Sequence, residues 1–155
     1  MNSTAAVFKP SPAPEKTASS RAMAIISKLA GVSLKTPLDE VRLTQRGIAP
    51  VALESLKQLG ASSADLHWII KPRTLAHRKT RHESLTPAET GRWLRAAKVQ
   101  ALALEVFGDP QKAFAWLHKP RKRFGDQSAL AIIQSEAGAQ LVGDTLNQID
   151  AGYFA

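Results

Sequence analysis

The sequence contains no cysteine, a single tyrosine and, after Arg123, no lysine or arginine. The absence of cysteine excludes disulfide bonds, thiol catalysis and cysteine-ligated zinc. No apolar run approaches the length that crosses a membrane, and the first residues lack the basic and apolar regions of a signal peptide. We therefore expect a cytoplasmic protein with no membrane span.

The charge is distributed unevenly along the chain. The formal net charge is +8 and the isoelectric point is about 10.1. Residues 124–155 contain four acidic residues and no basic ones, so residues 1–123 carry +12. Clustered lysine and arginine favour a polyanionic partner, whereas the acidic end points to a different one. With 155 residues, 44% of them apolar, the chain can fold as one compact domain or two small ones.

Helix start and stop signals recur along the chain and predict an all-α fold. Residues 1–20 are rich in proline, serine and alanine, which is typical of a flexible arm. Thr36-Pro37-Leu38-Asp39 and Thr86-Pro87-Ala88-Glu89 each combine an N-cap, a first-turn proline and an acid at N3. The second signal opens a long helix that stops at Gly108. No segment alternates with period two, so no sheet is expected. Further helices are predicted at 20–30, 50–59, 62–70, 73–79, 109–119, 128–134 and 135–151.

Residues 62–79 predict a helix, a three- or four-residue turn and a second helix. In a helix-turn-helix the first helix braces against the DNA backbone, and the N-terminal part of the second enters the major groove. From Lys71 to Lys98 the net charge is +6, which favours DNA, although any single cation could simply decorate an exposed helix. RNA is less expected because no row of exposed aromatics is present. The predicted DNA contacts are Lys71, Arg73, Thr74, His77, Arg78, Lys79 and Arg81, with Arg92, Arg95 and Lys98 as further phosphate contacts. Trp68 and Trp93 are predicted core residues.

Two near-matches to catalytic motifs lack an essential residue. His82-Glu83 begins like a zinc-binding H-E-x-x-H motif, but Thr86 stands where the second histidine belongs. Gly138 to Thr145 approaches a phosphate-binding loop, but Asp144 replaces the lysine and would repel phosphate. We therefore predict no catalytic residue, no metal site and no cofactor.

The C-terminal part carries a series of signals that occur together in a known family. They are F-G-D-P from Phe107, A-F-A-W-L at 113–117, S-E-A-G-A-Q-L-V at 135–142 and L-N-Q-I-D-A-G at 146–152. Two segments upstream belong to the same series: R-T-L-A-H-R-K at 73–79, and L-T-P-A-E with R-W-L-R-A-A at 85–97. This arrangement resembles the Xre/MbcA/ParS-type antitoxins, best known from RES–Xre toxin–antitoxin modules. Two residues depart from the pattern: Asp126 where a second glycine is usual, and Ala129 where a proline commonly starts the next helix.

The resemblance implies a Cro/repressor-like helix-turn-helix domain followed by a small helical toxin-binding domain. On this basis residues 1–20 are an arm, 21–106 a DNA-binding and dimerisation domain, and 107–155 the toxin-binding domain. The implied partner is a cognate RES-domain toxin that destroys NAD⁺. The family further implies a homodimer within a larger toxin–antitoxin complex, and repression of its own operon through operator DNA.

The last four residues are the candidate toxin contact: Gly152, Tyr153, Phe154 and Ala155. Gly152 can end the last helix in a left-handed turn and direct the aromatic residues outward. The alternative is that Tyr153 and Phe154 fold back onto the protein's own core. Two other functions stay open: a stand-alone helix-turn-helix regulator whose C-terminal domain only oligomerises, and a helical scaffold that binds nucleic acid without sequence preference.

Overall fold

The computed structural model describes residues 18–153, and their regular structure is helical. The α-helices are α1 Ala18–Ala30, α2 Pro37–Arg46, α3 Ala52–Gln58, α4 Pro72–Arg81, α5 Pro87–Phe107, α6 Pro110–His118, α7 Ala129–Ile132 and α8 Glu136–Asp150. Two 3-10 turns lie at Ala64–Leu66 and Lys122–Phe124. Extended pairing in residues 18–153 is limited to one bridge between Arg121 and Gln127. The predicted all-α fold is confirmed. Of the helices described, none combines the length and apolar character needed to span a bilayer.

The two predicted capping boxes form as expected. At the start of α5 the Thr86 amide donates to Glu89 Oε2 over 2.8 Å, and the Glu89 amide donates to Thr86 Oγ1 over 3.2 Å. The same reciprocal pair joins Thr36 and Asp39 at the start of α2. Each box satisfies amides that the first helical turn leaves without partners. The boundaries of α2 and α5 are therefore encoded locally.

Helix α5 is the central helix of the fold. It packs against α1, α2 and α3 and also against α6 and α8. Trp93 is completely buried, as predicted, and its Nε1 donates to the Ala52 carbonyl over 2.9 Å. The core is continuous from α1 to α8, and the predicted domain boundary between 106 and 107 falls at the last residue of α5. The two parts of the chain are therefore built on one shared helix.

Helix α1 begins at Ala18, so residues 18–20, predicted as the end of a flexible arm, form its first turn instead. Ala18, Ala22 and Ile26 are buried, four residues apart on one face that meets α5. Arg21 Nε lies 2.8 Å from Glu105 Oε2, and Ser19 Oγ donates to Asn147 Oδ1 over 3.0 Å. These long-range contacts explain the earlier start. The rest of the predicted arm, residues 1–17, lies outside the described residues.

Residues 62–70 differ from the predicted helix. The Ser62 amide and hydroxyl both donate to Asp65 Oδ2 over 2.8 Å, as in a capping box, but only one 3-10 turn follows. Arg92 Nε donates to the Ile69 carbonyl over 2.9 Å, and Ile69 and Ile70 are both buried although they are neighbours. Residues 67–70 are therefore held by a hydrogen bond from α5 and by the burial of Ile69 and Ile70, and they do not continue the 3-10 turn as a helix. The first helix of the predicted helix-turn-helix is a 3-10 turn, whereas the second is the α-helix α4.

Candidate functional site

Helix α4 projects from the core more than the other long helices. It starts with Pro72 at its first turn and ends at His82, whose φ of 54° is left-handed. None of its residues is fully buried, and Leu75 is its only apolar side chain packed partly against the core. A helix exposed in this way can enter a groove in a partner.

The predicted DNA contacts fall into two groups on α4. Lys71, Arg73 and His77 are exposed and Thr74 is half-buried. Over residues 18–153 no carboxylate forms an ion pair with Lys71, Arg73 or His77. Arg73 and His77 are four residues apart, so they lie on the same face. The start of α4 therefore presents Lys71 and Arg73 as cations that remain available to a partner, with His77 on the same face.

Arg78 belongs to the second group, which is engaged inside the molecule. Its Nε lies 2.9 Å from Glu89 Oε2, its Nη2 donates to Glu89 Oε1 over 3.1 Å, and the two side chains are only 18% and 10% exposed. Burial raises the pKa of Glu89, but the Thr86 amide and the Arg78 guanidinium outweigh it and leave the pKa below its usual value. Because Arg78 pairs with a largely buried glutamate of α5, this side chain fastens α4 to α5.

Lys79 and Arg81 are also paired, but at the surface. Lys79 Nζ lies 3.2 Å from Glu54 Oε1, and the hydrogen bond from Lys79 lowers the pKa of Glu54. Arg81 Nε lies 3.9 Å from Glu83 Oε1 with its side chain 62% exposed. Exposed pairs of this kind contribute little and open readily, so both cations can still reach a partner.

The three further phosphate candidates all make internal contacts. Arg92 holds the Ile69 carbonyl, and Lys98 pairs with Glu40. Arg95 donates to the Gln134 carbonyl over 2.9 Å and lies over the half-buried Trp68 ring, with 5.8 Å between Cζ and the ring centre. Each of these side chains joins elements of the fold, and the prediction that Arg92, Arg95 and Lys98 contact phosphate stays a prediction.

The C-terminal tail leaves the molecule through a defined turn. The Tyr153 amide donates to the Gln148 carbonyl and the Gly152 amide to the Ile149 carbonyl, each over 3.0 Å. Gly152 has a left-handed φ of 80°, and the two bonds together form a Schellman motif. Tyr153 is 79% exposed, so it does not fold back onto the core. Phe154 and Ala155 lie outside the described residues.

Neither near-match to a catalytic motif forms a site. Gly138 to Thr145 lies inside α8, where its amides serve the helix. The part of the chain from 18 to 153 contains no group of three histidine, aspartate or glutamate side chains that could hold a metal ion.

Comparisons with known proteins identify the C-terminal part of the chain. Residues 102–152 match the family described as the antitoxin Xre/MbcA/ParS C-terminal toxin-binding domain, from the last turns of α5 to Gly152. The chain is 35% identical over 114 residues to Antitoxin Xre of Pseudomonas putida, a match that covers 73% of this chain and 64% of that protein.

It is 33% identical over 87 residues to Antitoxin Xre of Yersinia enterocolitica, covering 56% of this chain and 59% of that protein. The chain thus spans somewhat less than two thirds of the length of these curated relatives. On this evidence the chain belongs to the Xre-type antitoxin family, with its C-terminal part formed by an Xre/MbcA/ParS toxin-binding domain.

Proposed function

We propose that this protein is the antitoxin of a toxin–antitoxin pair. It binds and neutralises a RES-domain, NAD⁺-degrading toxin in the cytoplasm, and it represses its own operon as a DNA-bound homodimer. It acts by occupying the toxin and not by chemistry of its own. The observation that carries the proposal is the exposed Tyr153, held on a Schellman turn at the end of a domain that matches the toxin-binding family.

The tail is suited to inserting into a pocket. Helix α8 has Val142 and Leu146 completely buried, so it is firmly attached, and Gly152 turns the chain away from it. A buried tyrosine or phenylalanine covers about 150–250 Å². At about 25 cal/mol per Å² each contributes on the order of 4 kcal/mol before the ordering cost. The contacts proposed for the toxin are Gly152, Tyr153, Phe154 and Ala155.

The DNA-binding role is proposed for α4. Arg73 is the best-placed donor to guanine, because an arginine fork can bond O6 and N7 together and Arg73 has no ion pair over residues 18–153. Lys71, Thr74 and His77 lie beside it, and Lys79 and Arg81 are additional contacts to phosphate. Arg78 supports the same surface indirectly by fixing the orientation of α4.

Growth and NAD⁺ measurements test the proposal directly. The proposal predicts that a RES-domain toxin is encoded beside this gene, and that toxin is expressed from an inducible promoter, with or without this chain. We expect the chain to restore growth and NAD⁺ content. If NAD⁺ falls equally in both cultures while the chain still occupies its promoter DNA, the protein is a stand-alone regulator and the antitoxin proposal is wrong.

A further inference from the structure

The basic loop, residues 119–123, contains the last cations of the chain and connects α6 to α7. The Arg121 amide donates to the Gln127 carbonyl over 3.1 Å, and the Asp126 amide donates back to the Arg121 carbonyl over 3.0 Å. Phe124, at the end of the 3-10 turn, is buried. The backbone of the loop is therefore fixed, while the Lys119 and Lys122 side chains are exposed and Arg121 is half-buried.

Arg121 is held in an orientation that suits a carboxylate. Its Cζ lies 4.7 Å from the centre of the Trp116 ring, and Trp116 itself packs against Phe107 and Phe124. Arg121 Nε is buried and has no hydrogen-bond partner within the described chain. A guanidinium stacked on an aromatic ring is pre-organised, and its edge can bind a carboxylate through two parallel hydrogen bonds.

The loop differs in its pairing from the cations that join α4 and α5 to the rest of the fold. No ion pair to an acidic side chain involves Lys119, Arg121 or Lys122 in the region from 18 to 153. Arg78 and Lys98, in contrast, each meet a glutamate of this protein. Lys119, Arg121 and Lys122 are thus three neighbouring cations without an internal ion pair over residues 18–153, in a C-terminal region that is otherwise acidic.

The loop is connected directly to the base of the tail. Arg123 Nη2 donates to Gln148 Oε1 over 2.8 Å, and the carbonyl of the same Gln148 accepts the Tyr153 amide over 3.0 Å. One residue therefore binds both the basic loop and the turn that releases Tyr153. A partner that covers Tyr153 would come close to the loop as well.

We propose that the basic loop is a second contact for the toxin, and that it binds aspartate and glutamate side chains on the rim of the toxin's active-site entrance. This inference rests on the proposed function and adds the chemistry of the partner surface. The tail fills the pocket, while Lys119, Arg121 and Lys122 attract and orient the acidic rim around it. Charge complementarity of this kind mainly raises the association rate and fixes the register of a complex.

DNA phosphate is the competing partner. His118, directly before the loop, has its Nε2 3.3 Å from Asp65 Oδ2 in the 3-10 turn of the helix-turn-helix region. Two observations favour the toxin: the loop lies inside the segment that matches the toxin-binding domain, and it shares Gln148 with the tail.

The test measures the dissociation constant between the full-length chain and the purified toxin encoded by the neighbouring gene, at low and high salt. The variant is Lys119→Glu/Lys122→Glu, because both side chains are exposed. The matched control is Lys28→Glu/Lys35→Glu, which makes the same change in net charge at two exposed lysines outside the segment that matches the toxin-binding family. Arg121→Lys, which keeps the charge and removes the planar fork, tests the stacked guanidinium separately.

We expect the Lys119/Lys122 variant to bind the toxin about tenfold or more weakly at low salt, mostly through slower association, with a smaller difference at high salt. The control should match the original chain, and Arg121→Lys should weaken binding at both salt concentrations. An unchanged dissociation constant for both loop variants overturns the inference, as does a loop variant that loses operator DNA and keeps the toxin. If the unaltered chain does not bind the toxin at all, the proposed function itself is wrong.

Discussion

Within residues 18–153, most cations of the α4–α5 region meet acidic side chains of this protein, whereas Lys119, Arg121 and Lys122 of the basic loop do not, although the two groups look alike in the sequence. Around α4 and α5, Arg78, Arg95 and Lys98 are bound to acidic side chains of the same molecule. In the loop, Arg121 is stacked on an aromatic ring and no acidic group meets it in the described chain. Charge density along a sequence therefore measures how many cations are present, and only the fold determines which of them remain available to a partner.

The variant Arg78→Ala tests whether the paired cations of α4 serve the fold, and it should have the largest effect on stability. If Arg78 serves the fold, its removal leaves Glu89 buried without a counter-charge, and the free energy of unfolding should fall by about 3 kcal/mol. Chemical denaturation of the two proteins measures the change. Arg73→Ala is the control, because the exposed Arg73 should leave stability unchanged within about 0.5 kcal/mol. Equal stability of the Arg78 variant and the unaltered chain would show that the pair is not structural.

The next largest effect concerns the available cations of α4. Arg73→Ala should weaken binding to the operator by about 1–3 kcal/mol and relax base preference at one position. Lys71→Ala should instead weaken binding to every duplex and reduce the slope of log K against log salt by about one. Titrations of cognate and scrambled duplexes at several salt concentrations separate these outcomes. Undiminished operator binding by both variants would exclude α4 as the recognition helix.

The tail turn is expected to contribute less to stability. Gly152→Ala places a Cβ on a residue with φ of 80°, which costs about 1–2 kcal/mol locally, although the Cβ itself meets no neighbouring atom. We expect faster hydrogen exchange at the Gly152 and Tyr153 amides and an unchanged core. Gly143→Ala, also with open space around the Cβ but inside α8, is the control. Protection that is equal in all three proteins would show that the Schellman turn does not hold the tail.

The smallest effect is the response to pH. The pKa of Glu89 is lower in the folded protein than its ordinary value of 4.5, so its contribution is complete above that value and is lost as the pH falls through the folded pKa. The free energy of unfolding should therefore decrease in acid more steeply for the unaltered chain than for Glu89→Gln. Parallel curves below pH 4.5 would contradict this role for Glu89.

Local signals explain what could be predicted from the sequence. The Thr36–Asp39 and Thr86–Glu89 boxes predicted the starts of α2 and α5 because each box is complete within four residues. The predicted helix over 62–70 is wrong beyond one 3-10 turn, and the contact at its end is long-range, since Arg92, more than twenty residues away, donates to the Ile69 carbonyl. The role of Arg78 was missed for a similar reason, since its partner Glu89 approaches it only when α4 and α5 are placed against each other.

The C-terminal tail could be predicted only in part. Gly152 after a helical pattern predicted the turn, and the turn is present. Whether Tyr153 would point outward or fold inward depends on whether the core offers a site for it, which no local signal reveals. The core near α8 is filled by its own residues such as Val142 and Leu146, and Tyr153 remains outside.

The most direct test compares the 155-residue chain with one ending at Ala151. It measures binding to the proposed RES-domain toxin and to the proposed operator DNA in the same preparations. We predict that the shortened chain binds the toxin roughly a hundredfold or more weakly, because the aromatic burial is lost, and binds DNA unchanged. A shortened chain that binds the toxin as tightly as the full-length protein would contradict the claim that the tail is the inhibitory element.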